Sequence, residues 1–298
     1  MQSLTYAFRF ISVSFKLAIN QRRVQQAFWY LGLGGLALLV IWFLPLALVI
    51  GLIGLKPIGL VLIGLISIFA LVSLNLWGEI TSLLVITAFS EQITLTEEDT
   101  PEEKPTQVIR SHWQDVILSR FIVPGSQFIN FFNQVFSSDE PQNHSWLDHA
   151  YLLMPLIALE QRHFDGAVTR VRQMVEENLF RVQRDFMDVN LVARVVQWLL
   201  LGIGVALGFV AGLKIADPLA EGVWIKILGA GVGLFVAGIF SLLGILVSIY
   251  FRASYHTALY VWGMNVEAVR QSGQAGKASP PEVISQAMGL KVSQEEEA

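Results

Sequence analysis

The chain has 298 residues, 54% of them hydrophobic and only 15% charged, with a mean hydropathy of +0.56 and a net charge of −4. That composition lies outside the ordinary soluble range, and the acidic balance argues against a nucleic-acid partner, whose phosphates call for a basic surface. With no cysteine, disulfides, thiolate catalysis and thiolate metal sites are excluded.

No charged side chain occurs in residues 24–55, 57–78, 195–213 or 227–251. Crossing a bilayer takes about 20 apolar residues, and in lipid only a helix or a closed barrel satisfies its own backbone. The expectation is an all-α polytopic membrane protein with four transmembrane helices arranged as two hairpins, 27–89 and 195–251. A helical cytoplasmic region (90–194, with an acidic linker at 93–106) separates them, and a cytoplasmic helix and tail (252–298) follow. Seventeen of the twenty basic residues lie before the first span, between spans two and three, or after span four. Positive charge near span ends marks the cytoplasmic face, so both termini are expected inside a bacterial-type plasma membrane. The first apolar run starts too late and runs too long for a signal peptide, so span one is expected to be retained.

In chain order, residues 1–26 read as a basic amphipathic helix. Leu4, Phe8, Ile11, Phe15 and Ile19 recur at steps of three or four, and Arg9, Ser12, Lys16, Asn20 and Arg23 recur on another face. Such a helix lies in the membrane interface or packs on the protein's own cytoplasmic part. Span one carries Pro45 as an expected kink, GLIGLKP forms the outer turn, and span two continues past Glu79 to Phe89. TEEDTPEEKPT reads as a solvated linker.

Trp113, Ile117, Phe121, Phe128, Phe131, Phe132 and Phe136 mark an aromatic amphipathic segment expected to break at Pro124-Gly125. SWLDHAYLLMPLIALE is too short to span and reads as a re-entrant or interfacial helix bent at Pro155, or as a buried one. From an N-cap at Asp165, the spacing of Val168, Val171, Val175, Leu179, Val182, Phe186 and Val189 predicts a long helix running into span three. Its surface pairs are Glu177–Arg181, Arg181–Asp185 and Arg184–Asp188, and its stripe is expected to pack on 107–164. Gly204, Gly208 and Gly212 repeat every fourth residue, as do Gly229 and Gly233. Such rows let spans three and four pack closely; a glycine-lined pore is the alternative. Asp217 and Glu221 belong to a solvated outer turn, and PPEVISQAMGL is expected to start a short helix at Pro281 or Glu282 before an acidic end.

Little here points to chemistry. Glu160 and His163, three apart on one expected helix face, offer the only metal-like spacing, with His144, Asp148 and His149 just before. A di-iron bundle would need a second Glu-x-x-His unit, and none occurs, so no metal or other cofactor is expected. Glu79 and Asn75 are the candidate intramembrane polar groups of span two; Glu79 reads as an interface anchor, with a proton or ion relay as its alternative. No phosphate loop, nucleophile elbow, zinc-protease helix or dinucleotide fingerprint is present, and an enzyme is not expected.

Two stretches resemble a known group. In WLDHAYLLMPLIALEQRHFDGAVTRVRQMVEENL, the residues Trp146, Pro155, Glu160, Ala167, Arg170 and Arg172 match a pattern in uncharacterised bacterial multi-span proteins related to the glycerophosphodiester phosphodiesterase membrane domain. FRASYHTALYVWGMNVEAVRQSG, with Ala258, Leu259 and Tyr260, is similar to that group's closing segment. The resemblance implies a membrane module, carries no catalytic residues across, and includes no phosphodiesterase domain. The expected function is a scaffold or assembly partner at the cytoplasmic membrane face. It would contact the lipid bilayer and a protein partner or second copy through its cytoplasmic helices. The alternatives are a solute or ion transporter and, behind it, a metal-dependent membrane enzyme.

Overall fold

The computed structural model of the protein describes residues 2–53, 56–93, 105–136, 145–177, 179, 187–216, 223–273 and 278–290. Most of the GLIGLKP turn's tip, the acidic linker up to residue 104, His144, the ion pairs involving Arg181 and Arg184, the turn at Asp217 and Glu221, and the acidic end lie outside them.

Among the described residues the chain is all-helical. The α-helices are α1 (Gln2–Asn20), α2 (Arg22–Leu52), α3 (Pro57–Ile93), α4 (Pro105–Phe136), α5 (Leu153–Leu159), α6 (Phe164–Glu176), α7 (Val189–Ala216), α8 (Val223–Gln271) and α9 (Glu282–Met288). A 3-10 helix (Ser145–Leu152) leads into α5. Four of these, α2, α3, α7 and α8, contain segments long and apolar enough to cross a membrane. The chain divides into two compact units. A span unit holds Phe28–Glu79 and Ala193–Ile249, and a helical module holds the residues up to Ala27, Ile80–Val192 and the chain from Tyr250 onward.

In the span unit, α2 and α3 run antiparallel. Trp42 stacks on Phe69 at 6.3 Å, and Trp77 Nε1 donates to the Leu31 carbonyl at 3.3 Å. Pro45 sits inside α2, which continues past it. The pairing of α7 with α8 rests on the two glycine rows. A Cβ added at Gly212 would lie 2.9 Å from the Gly229 carbonyl oxygen, one at Gly233 would lie 2.7 Å from that of Gly208, and one at Gly208 would collide with Gly233. Backbone meets backbone there, which is how helices gain contact in lipid, where burial from water supplies no drive. Leu31, Leu74, Leu242, Ile245 and Ile249 form the buried centre shared by α2, α3 and α8.

Several expectations about the module change. The 1–26 helix is interrupted: α1 ends at Asn20, Gln21 lies outside any helix, and α2 starts at Arg22. Its buried face is Ala7, Phe10, Ser14 and Ala18, while Leu4, Phe8, Phe15 and Ile19 stay exposed. The small residues allow close approach: α1 packs on α9, Phe10 meets the edge of Tyr255, and Tyr250 Oη donates to the Ser14 carbonyl at 2.6 Å. Helix α4 does not break at Pro124-Gly125. Proline removes one backbone donor, but its fixed φ of about −65° is itself helical, so the chain need not leave the helix. The side chains of Phe128, Phe131, Phe132 and Phe136 lie outside the description.

The segment expected to be re-entrant or interfacial is module core. Leu152, Leu153, Leu156 and Ile157 are fully buried. Pro155 falls in the first turn of α5, where backbone N–H groups have no helical partner, so it marks a start rather than a bend. The long helix expected from Asp165 stops at Glu176, with Met187 and Asp188 non-helical before α7. Arg270 Nη1 donates to the Glu177 carbonyl at 2.6 Å, satisfying one acceptor that a continuing helix would have used. Phe164, Ala167, Val171 and Met174 form the buried line of α6, which packs on α4, α5 and the 3-10 helix as expected. Helix α9 starts at Glu282 after Pro281 and ends at Gly289, whose φ of 71° suits the left-handed cap.

Candidate functional site

Among the described residues, two clusters of ionisable side chains in the module involve the turn between α5 and α6. That turn exists because Gln161 adopts φ 51°, a left-handed conformation that ends α5 and redirects the chain. Glu160 and His163 therefore do not share a helix face, and each joins a different cluster.

The first cluster joins α4 to the start of α6. Asp115 Oδ1 accepts the Phe164 backbone N–H at 3.0 Å, capping α6 from a distant helix. Residue His163, not Asp165, occupies the N-cap position, and its own side chain makes no cap bond. Asp115 Oδ2 receives His112 Nδ1 at 3.0 Å and His163 Nδ1 at 3.1 Å, and the two imidazoles lie 5.3 Å apart, centre to centre. His112 and Asp115 are buried, whereas the His163 side chain is 80% exposed. Burial would raise the Asp115 carboxyl, but the Phe164 N–H and the two imidazoles outweigh it and hold it below its ordinary value. A carboxylate only accepts, so each Nδ1 is assigned the proton it shares with Oδ2.

The second cluster joins α6, α8 and the end of α5. Glu160 accepts the Tyr260 hydroxyl at 2.6 Å and Arg162 Nε at 2.5 Å, and lies 3.7 Å from Arg170 Nε. Arg170 Nη2 donates to Glu267 at 2.5 Å, and both of these side chains are nearly buried. Desolvation would lower the Arg170 pKa, but Glu267 and Glu160 more than reverse it, so the guanidinium stays charged. Arg172 sits 5.6 Å over the Trp146 ring. Glu160, Arg170 and Tyr260, drawn from the two stretches quoted for the family resemblance, thus meet in one place. Each carboxylate described there lies against a guanidinium, so the cluster ties α6, α8 and the end of α5 together.

Of the remaining candidates, Asn75 Nδ2 donates to the Leu71 carbonyl at 2.8 Å within its own helix, and Glu79 is half-buried. The glycine rows meet each other, as described. Sequence reading missed His112 and Asp115. Their spacing of three on one helix was a visible signal, but the third member stands 48 residues from Asp115. No protein-family model, curated protein or solved structure matches this chain.

Proposed function

We propose that the protein is a non-catalytic scaffold or assembly partner at the cytoplasmic face of a bacterial-type plasma membrane, with both termini inside. The carrying observation is the way α4 faces. It buries Val108, His112, Asp115, Val116 and Ser119, and turns Trp113, Leu118, Phe121 and Ile122 outward, with Phe121 60% exposed. Large aromatic and aliphatic side chains left in the open on one side of the helix, among exposed Arg110 and Gln114, suit an interaction surface. Helix α1 does the same with Leu4, Phe8, Phe15 and Ile19, beside exposed Arg9 and Lys16, which suits contact with anionic lipid.

The orientation is supported by the module's make-up. It gathers the N-terminal, central and C-terminal segments, which hold most of the basic residues, and four crossings in two hairpins leave those three segments on one side. A scaffold is favoured over a transporter because Ser73 and Asn75, polar groups of span two, spend hydrogen bonds on the Phe69 and Leu71 carbonyls of their own helix.

A photo-crosslinking amino acid placed at Phe121 or at Phe8 tests this in native membranes. Position 121 should give a discrete protein adduct, and position 8 mainly lipid adducts. A monomer that yields no protein adduct at either site would sink the scaffold reading, as would solute flux in liposomes abolished by Asn75→Ala.

A further inference from the structure

We propose that His112, Asp115 and His163 form a binding site for one divalent transition cation of the zinc type, a site that the function proposed above does not require. A nitrogen or carboxylate oxygen from each residue lies within 4.8 Å of the other two. Two imidazoles with one carboxylate suit borderline cations such as Zn2+ and Co2+ rather than Mg2+ or Ca2+, which favour all-oxygen shells. Zinc bonds of about 2.0–2.1 Å place tetrahedral ligand atoms roughly 3.3 Å apart. The Nδ1 to Oδ2 separations of 3.0 and 3.1 Å are already near that spacing, and the imidazole nitrogens lie within 4.8 Å of each other, so side-chain adjustment alone brings the three groups around a cation.

The supporting shell is in place. The Phe164 N–H fixes Oδ1, which orients the carboxylate and leaves Oδ2 facing the imidazoles. His112 is held on a buried helix face, three residues from Asp115. His163 lies on the solvent side, where water can complete the coordination and the ion can arrive.

A simple helix cap explains less. Capping α6 requires only the bond from Phe164 to Oδ1, whereas two imidazoles converge on the other oxygen. One of them belongs to an exposed side chain that gives up rotamer freedom to be there. Cation binding at Nδ1 needs the lone pairs now carrying protons, so each proton moves to Nε2 of the same ring or leaves to solvent. Spanning α4 and the α5–α6 turn, the ion would pin the two together.

The test uses the full chain, free of any histidine tag, purified in mild detergent and stripped with a chelator. Titration with Co2+ alone should give one equivalent per chain and the intense visible bands of a tetrahedral complex, displaced by Zn2+. The His163→Ala variant alters an exposed side chain and should still fold. It should bind Co2+ at least tenfold more weakly and lose the rise in Tm that Zn2+ gives the unaltered protein. Asp115→Asn should bind more weakly still; if it fails to fold, His163→Ala alone decides. Absence of a tetrahedral spectrum, or a spectrum and stoichiometry unchanged in His163→Ala, overturns the proposal.

Discussion

The span unit and the helical module solve the same problem, holding helices against helices, by opposite means. In the span unit, helices approach through missing side chains: Gly208, Gly212, Gly229 and Gly233 bring the backbones of α7 and α8 together, and large apolar groups such as Trp198 and Phe209 point outward. In the module, the large apolar groups turn inward around α5, and buried charge fixes how α6 and α8 meet. The difference follows from the surroundings. Where water can be expelled, burying area holds elements together and ion pairs set their register; where lipid replaces water, shape must do the work.

Removing Arg170 should break the module most severely. Arg170→Met leaves Glu267 without its countercharge in a nearly buried place and Glu160 with Arg162 alone, at a cost of about 3–5 kcal/mol. Chemical denaturation in detergent should show the loss, and adding Glu267→Met should return much of it. Asp115→Asn comes next, losing about 1.5–3 kcal/mol near neutral pH, the range for hydrogen bonds to a charged group. The folded carboxyl titrates below its ordinary value, so its contribution is complete above the unfolded pKa and disappears as pH falls through the folded pKa. Unfolding followed against pH should therefore show the gap between variant and parent closing in acid.

Gly208→Ile should cost about 1–3 kcal/mol, felt as a separation of α7 from α8. Gly202→Ile is the matched control, because a Cβ there meets nothing within 4 Å. A cysteine pair introduced across the two helices should crosslink in the control and fail in Gly208→Ile. Equal behaviour of the two variants would mean that glycine spacing does not set the contact.

The spans were legible because their signal is an absence: runs of 19 to 32 consecutive residues without charge leave few alternatives in water. The glycine rows were legible too, since a period of four on a helix makes a stripe. The faces of α1 and α4 were not. Periodicity finds the large apolar residues, but packing used the small ones in α1 and a histidine with an aspartate in α4. Glu160 with His163 misled for a related reason. A spacing of three means proximity only if the helix continues, and the backbone of Gln161 decides that it does not. The partner of His163 lies on another helix, and no spacing along the chain announces it.

Gln161 has a consequence beyond ending a helix. A side-chained residue in the left-handed region stores about 1–2 kcal/mol of strain. Here it separates by one peptide step the acid held by Tyr260 and Arg162 from the segment whose imidazole reaches Asp115. The turn is thus a shared support: Glu160 stands immediately before Gln161 and His163 two residues after it, so one backbone conformation places a member of each ionic cluster.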